Sequence, residues 1–237
     1  MSRGKSMVAN SSGVVERVPM DQVLLEDERY RLTRGNPAED LIESIARLGC
    51  FTPPICWRQG EGLIPVAGFK RLKALQIIHA HSGDTPSDKQ IEVRVLSSAV
   101  DWLEMMACSA GEVLKDRPLN PFECGRAIKR GLEAGFSREE MVKALLPLLG
   151  LEPFINVLKQ HLKLMATPER LVQWLEPHNP PLKRALFFSR IKESDVGAVM
   201  EVVEGIQPSL RGLEVLCQLI GECARREEMN WEDLLEK

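Results

Sequence analysis

The sequence predicts an α+β protein, with a small mixed α/β domain at the N-terminal end followed by an all-helical C-terminal domain. Short apolar segments bounded by Pro and Gly stop near residue 96, while helix start signals continue to the end of the chain. At 237 residues the chain can bury two cores of ordinary size. Its 44% hydrophobic and 27% charged residues are those of a globular protein.

Residues 1–12 are small, polar and aperiodic, and read as a disordered leader. Val14–Val18 reads as a strand. The next element is a helix with Asn36 as N-cap, Pro37 at N1, Glu39 at N3 for a capping box, and Gly49 as its stop. Leu41, Ile42, Ile45 and Leu48 recur at helical spacing on one face. Pro53–Arg58 and Leu63–Val66 flank Gln59-Gly60-Glu61-Gly62, which predicts a hairpin. Ala67-Gly68 then opens a helix through Phe69, Leu72, Leu75, Ile77 and Ile78, ending near Gly83. An exposed loop over 82–87 leads to a closing strand at Ile91–Leu96. These elements define a domain over 13–97.

The remainder, 98–237, shows no convincing strand. Pro121 opens one helix, Ser137 with Glu140 makes a capping box for another, Thr167-Pro168 starts a third, and Asn230 with Asp233 starts the last. A late helix carries Leu213, Val215, Leu216, Leu219 and Ile220, an apolar surface that packs either within its own domain or against a second copy.

Composition excludes several function classes. No run of about 18 apolar residues exists to cross a membrane, and no apolar signal core follows Met1, so a cytoplasmic protein without a membrane partner is expected. Cys50, Cys56, Cys108, Cys124, Cys217 and Cys223 are scattered, and the four histidines add no ligand set. Reduced thiols and no metal held by side chains alone are the expectation, with no catalytic residue assigned. A net charge of -3 and a pI near 5.9 confine any DNA contact to a local patch, away from the acidic last quarter.

The stretch Val66-Ala67-Gly68-Phe69-Lys70-Arg71-Leu72-Lys73 is the most informative chemically. A strand runs into a glycine, and two bases occupy the first turn of the helix beyond it. That turn presents free N–H groups and the positive end of the helix dipole, so two cations there make sense when an anion lies between. The other reading is a solvated basic face. The spacing is not that of a P-loop.

Leu41 to Gly49, the Pro54-Ile55 pair, the hairpin strand and Gly68-Phe69-Lys70-Arg71-Leu72-Lys73-Ala74-Leu75 together resemble the N-terminal domain of the ParB-like family, a fold shared with sulfiredoxin. The resemblance covers roughly Val14 to Leu96. It implies a site for a nucleoside triphosphate, CTP in the best-known members, with a magnesium ion. Carried over, Gly68 allows close backbone approach, Lys70 and Arg71 hold phosphate oxygens, and Arg31 matches an arginine placed before the first long helix. Leu119-Asn120-Pro121-Phe122-Glu123 is similar to the family's "Leu-Asn-Pro-x-Glu". The preceding "Glu-Asn-x-x-Arg" survives here only at Glu112, with Val113 and Asp116 in place of the amide and the base. Those departures put hydrolysis in doubt, so a slow NTPase switch is the most that is expected of it as an enzyme.

A degenerate helix-turn-helix is expected over about 119–165, with Ser137 to Leu146 as first helix and Pro153 to Leu164 as recognition helix. Of the latter, Lys159, Gln160, His161 and Lys163 suit DNA, and the first, second and last of these, Lys159, Gln160 and Lys163, are taken as the contacts. The other reading is a packing helix.

Three functions fit. The first is a nucleotide-gated, nucleoid-associated DNA partition or plasmid-maintenance factor, whose partners are DNA, a ParA-type ATPase and a second copy as a homodimer. The second is a phosphotransferase or nuclease on the same fold, although sulfiredoxin itself carries a cysteine where Phe69 stands. The third is a regulator with vestigial nucleotide and DNA sites.

Overall fold

The computed structural model describes residues 13–81, 90–229 and 231, and these separate into two compact units, one through Pro118 and one from Leu119. The expected leader, the loop at 82–87 with the helix end at Gly83, and the helix start at Asn230 with Asp233 lie outside the described residues.

In the first unit β1 (Val14–Pro19), β2 (Ile55–Gln59), β3 (Gly62–Ala67) and β4 (Gln90–Leu96) form a sheet of order β1-β4-β2-β3. β1 pairs antiparallel with β4, placing Val14 opposite Val95, and β2 pairs antiparallel with β3. β2 and β4 run parallel, with Ile55 opposite Arg94. Along β4, Ile91, Val93 and Val95 are buried while Gln90, Glu92 and Arg94 are exposed, the period-2 pattern of a strand with one face on a core. That core gathers Val18, Met20, Val23, Cys56, Leu63 and Leu72 with the β4 residues.

Helices α1 (Glu39–Leu48) and α2 (Phe69–His81) pack on one another. α1 begins at Glu39 behind an extended Ala38 that makes no side-chain cap bond, so the expected cap by Asn36, Pro37 and Glu39 does not form. The Ala38 carbonyl receives the N–H groups of Leu41 and Ile42, which moves the first turn past Asn36. Pro37 is buried instead. Gly49 ends the helix at φ 79°, as expected. Of the apolar face, Ile45 is buried but Leu48 is 50% exposed.

A helix for which the sequence reading had no element, α3 (Trp102–Leu114), completes this unit. Asp101 and Glu104 cap it reciprocally, and it packs on β3. Ser109 Oγ donates to the Tyr30 carbonyl at 2.6 Å. The first unit therefore extends to Pro118, beyond the boundary at 97 drawn from the end of strand periodicity.

The second unit is helical throughout its described residues: α4 (Pro121–Glu133), α5 (Arg138–Glu140), α6 (Leu146–Leu148), α7 (Ile155–Leu164), α8 (Glu169–Leu175), α9 (Leu182–Phe188), α10 (Val196–Ile206) and α11 (Leu210–Glu227). Asn120 and Glu123 form the capping box of α4, with Pro121 at its first position. Ser137 and Glu140 do the same for α5. Between α5 and α6 the chain winds as a π-turn, Met141–Leu145, with Leu146 N–H donating to Met141 O. Pro147 comes next, and its missing N–H cannot close the usual bond to residue 143. α4 and α7 cross at Gly125, where an added Cβ would lie 2.5 Å from Met165 Cε and 2.8 Å from the His161 carbonyl. The core beneath includes Phe122, Leu164, Leu175 and Phe188.

Candidate phosphate and nucleic-acid sites

Strand β3 ends at Ala67, and the chain turns into α2 through Gly68 at φ 85°. L side chains seldom adopt that conformation. A Cβ there would also sit 3.0 Å from Pro54 Cα and 3.1 Å from Arg71 Nη2. Glycine is thus required by backbone and by crowding together. Leu72 N–H makes the first bond of the helix, to Gly68 O, which leaves the amides of Phe69, Lys70 and Arg71 without intrahelical partners.

The two first-turn bases behave differently. Lys70 is exposed, as the phosphate reading needs. Arg71 is not the solvated charge a basic face would have: its side chain keeps 18% exposure, Nη1 donates to the Thr52 carbonyl, and Nη2 to the Glu112 carboxylate. Gly68, Arg71 and Glu112, separated by up to 44 positions in sequence, are therefore brought together. Arg31 bonds locally instead, to Glu28 at 2.5 Å and to the carbonyls of Thr33 and Gly35, each at 2.9 Å. Thr52 is a member that sequence reasoning missed, because it contributes a backbone carbonyl and any residue supplies one. Cys50 lies beside it, donating through Sγ to the same carbonyl at 3.2 Å. Burial pushes this thiol up, against the pull of the neighbouring Arg71.

Such a cluster suits an anion. Backbone N–H groups, the exposed Lys70 and the Arg71 guanidinium belong to the first turn of one helix, and the glycine lets a ligand approach the backbone. Among the described residues no three His, Cys, Asp or Glu side chains converge on a metal position. Glu112 is the carboxylate that stands against Arg71 in this cluster. A separate cavity of about 450 Å³, lined by Val14, Glu16, Arg58 and Ser97 among others, shares no residue with this cluster.

In the second unit, Asn156, Lys159, Gln160 and Lys163 are exposed or partly exposed on α7, while Leu158, His161 and Leu164 face the interior. His161 is thereby removed from the expected DNA-facing set. Its Nδ1 donates to the Val157 carbonyl at 2.8 Å, and burial lowers its pKa. At the start of α7, Phe154 and Ile155 are 62% and 41% exposed, an apolar beginning for a recognition helix. On α11, Leu213 is buried in the unit's own core with Cys217, whereas Val215 and Leu219 point outward at 46% and 53% exposure. No described helix is long and apolar enough to cross a membrane. Burial pushes the thiols of Cys56, Cys124 and Cys217 up to about 12.

No protein-family model matches the chain. A probable plasmid-partitioning protein ParB of Thermus thermophilus is 25% identical, over 90% of this chain and 77% of that protein. The chain is thus similar to ParB-type partition proteins along most of its length. Similar solved structures include two of the C-terminally truncated chromosome-partitioning protein ParB of Caulobacter crescentus. One, complexed with CTP-γ-S, is 18% identical at a TM-score of 0.35 and covers 76% of this chain and 94% of its own. The other, complexed to the centromeric parS site, is 16% identical at 0.38 and covers 86% and 98%. A Pnob8-like ParB-N domain is 16% identical at 0.37, covering 79% and 84%.

Proposed function

We propose that this chain is a ParB-like partition or plasmid-maintenance factor whose N-terminal unit binds a nucleoside triphosphate and whose helical unit binds DNA. The single observation that carries the nucleotide half is the convergence of Gly68, Arg71 and Glu112 at the start of α2. These three residues meet beside first-turn amides that have no intrahelical partner and can donate to an anion. CTP, which a Caulobacter relative binds as its thio analogue, is the first nucleotide to try. The DNA half rests on the sequence likeness to the Thermus partition protein, and on Lys159, Gln160 and Lys163 of α7, which face away from the core.

Bound triphosphate would supply concentrated negative charge. Lys70 and Arg71 would hold its oxygens, with the first-turn amides as donors. The proposed role is a binding switch, with a ParA-type ATPase and a second copy of the chain as the protein partners.

Lys70 gives the clean test, since it is exposed and its removal leaves the core untouched. Equilibrium CTP titration with and without magnesium should show binding that Lys70→Ala weakens by about tenfold to a hundredfold, the loss of one charge-assisted bond. Binding that both Lys70→Ala and Arg71→Ala leave intact would put the ligand elsewhere. A DNA mobility assay at two salt concentrations tests the helical unit independently.

A further inference from the structure

Arg71 and Glu112 each stand at the unfavourable end of a helix. Arg71 lies in the first turn of α2, which contains no acid, so its charge opposes the positive end of that dipole. Glu112 lies in the last turn of α3, which contains no base, so its charge opposes the negative end. Each offsets the misplacement of the other through one ion pair, and the pair ties the end of α3 to the start of α2. A phosphate at that start would satisfy Arg71 and the first-turn amides at once, which Glu112 reaching from a neighbouring helix does only in part. Phosphate and carboxylate are both anions, so holding the two on one guanidinium brings like charges together.

We infer that Glu112 is an internal stand-in for the phosphate: an autoinhibitory carboxylate that occupies Arg71 in the empty site and is displaced when a triphosphate binds, freeing the end of α3. The inference rests on the nucleotide reading proposed above. Its chemistry differs from that of a magnesium ligand, which would gain from the nucleotide rather than compete with it. The exposures agree with a displaceable partner: the Glu112 side chain keeps 33% against 18% for Arg71, and Leu114 to Arg117 beyond it are exposed. Arg71 retains its bond to the Thr52 carbonyl when Glu112 leaves, and so stays aimed beside Gly68.

The test is CTP titration of the full chain without magnesium, comparing wild type, Glu112→Gln and Glu112→Ala, with hydrogen exchange of α3 amides as a second readout. Both variants should bind about tenfold tighter than wild type, the lower range of a coupling between competing groups. In wild type, saturating CTP should speed exchange in the last turn of α3, and in the variants that turn should exchange fast before any nucleotide is added. An Arg47→Ala control, on the exposed side of α1, should match wild type in both. Equal or weaker binding by the Glu112 variants, or α3 exchange that CTP does not change, overturns the inference. If wild type binds no CTP but the variants do, the carboxylate is a stronger block than described and the inference stands. If none of the three binds, the nucleotide reading fails and the inference with it.

Discussion

The two units each hold an Arg–Glu pair that links residues distant in sequence, and they hold it differently. In the first unit Arg71 and Glu112 keep 18% and 33% of their side-chain surface and stand beside a glycine turn. In the second, Arg126 of α4 and Glu176, just past α8, keep 10% each. Arg126 donates to both oxygens of Glu176, through Nη1 at 3.1 Å and through Nη2, and Asn120 Nδ2 reaches the same carboxylate at 3.4 Å. Asn120 is also the cap of α4, and its amide oxygen accepts from Glu123 N–H at 2.9 Å. The buried pair is thus woven into the start of a helix. The half-exposed pair bridges two helix ends and is open to exchange. Burial and surrounding bonds, rather than residue type, separate a structural ion pair from one that a ligand can take over.

The largest effect should come from breaking the buried pair. Glu176→Ala takes the buried carboxylate away from the Arg126 guanidinium and from one Asn120 donor, and should destabilise the helical unit by about 3–5 kcal/mol in urea unfolding. Replacing both partners together with apolar residues of similar volume should recover most of that loss. A Glu176→Ala protein as stable as wild type would show the pair to be ornamental and remove the contrast.

Gly68→Ala comes next, since it forces a Cβ into a left-handed backbone 3.0 Å from Pro54. A loss of about 1–2 kcal/mol is expected from the backbone alone. Arg71→Ala should cost a comparable amount, about 1–3 kcal/mol, because it removes the guanidinium from Glu112 and leaves the Thr52 carbonyl with the weaker Cys50 thiol donor. An arginine free in solvent would cost almost nothing, so the denaturation midpoint of this variant measures how far the pair is structural.

How much of this was legible in the sequence differs by unit, for physical reasons. In the first unit, period-2 alternation marked β4 and the Gly-containing turn marked the hairpin of β2 and β3, because both signals are local in sequence. The Gly68-x-x-Arg71 spacing puts both residues at the start of one helix, since three positions along one helix turn is local geometry. The environment of Arg71 was not legible, because its partners are a backbone carbonyl 19 residues earlier and a carboxylate 41 residues later. The cap expected at Asn36 does not form: the first turn starts from the extended Ala38, while Pro37 is buried. α3 was passed over although Asp101 and Glu104 form a full capping box. In the second unit the caps at Asn120 and Ser137 were readable, but nothing near Asn120 points to Glu176, 56 positions on.

A subtler difference between the units concerns pH. Burial lowers the pKa of His161, so the folded helical unit holds the imidazole neutral, while the unfolded chain takes up a proton near about pH 6.5. Between those two values the unfolded state binds more protons, so stability rises with pH there. The contribution is complete above about pH 6.5 and is lost as pH falls below it toward the lower folded value. Urea unfolding of the helical unit should therefore weaken between about pH 7 and 5, and His161→Gln should flatten that slope. A slope unchanged in the variant would assign it to other groups.

The smallest effect on stability, and the one that tests what α7 is for, belongs to Lys159→Ala and Lys163→Ala. The two side chains lie four residues apart on a face opposite Leu158 and Leu164, outside the core. Neither change should alter the unfolding midpoint beyond about 0.5 kcal/mol, the usual range for surface substitutions. If α7 meets a phosphate backbone, each change should weaken DNA binding and reduce the slope of log affinity against log salt by about 1. Gln160→Ala should instead leave the salt slope alone and change affinity only on sequences whose base edge it reads, because an uncharged amide releases no counterion. The exposed Phe154 and Ile155 at the start of the helix argue for a weak, backbone-dominated interaction over base reading. A salt slope identical in wild type and in the double lysine variant would show that α7 packs without touching DNA.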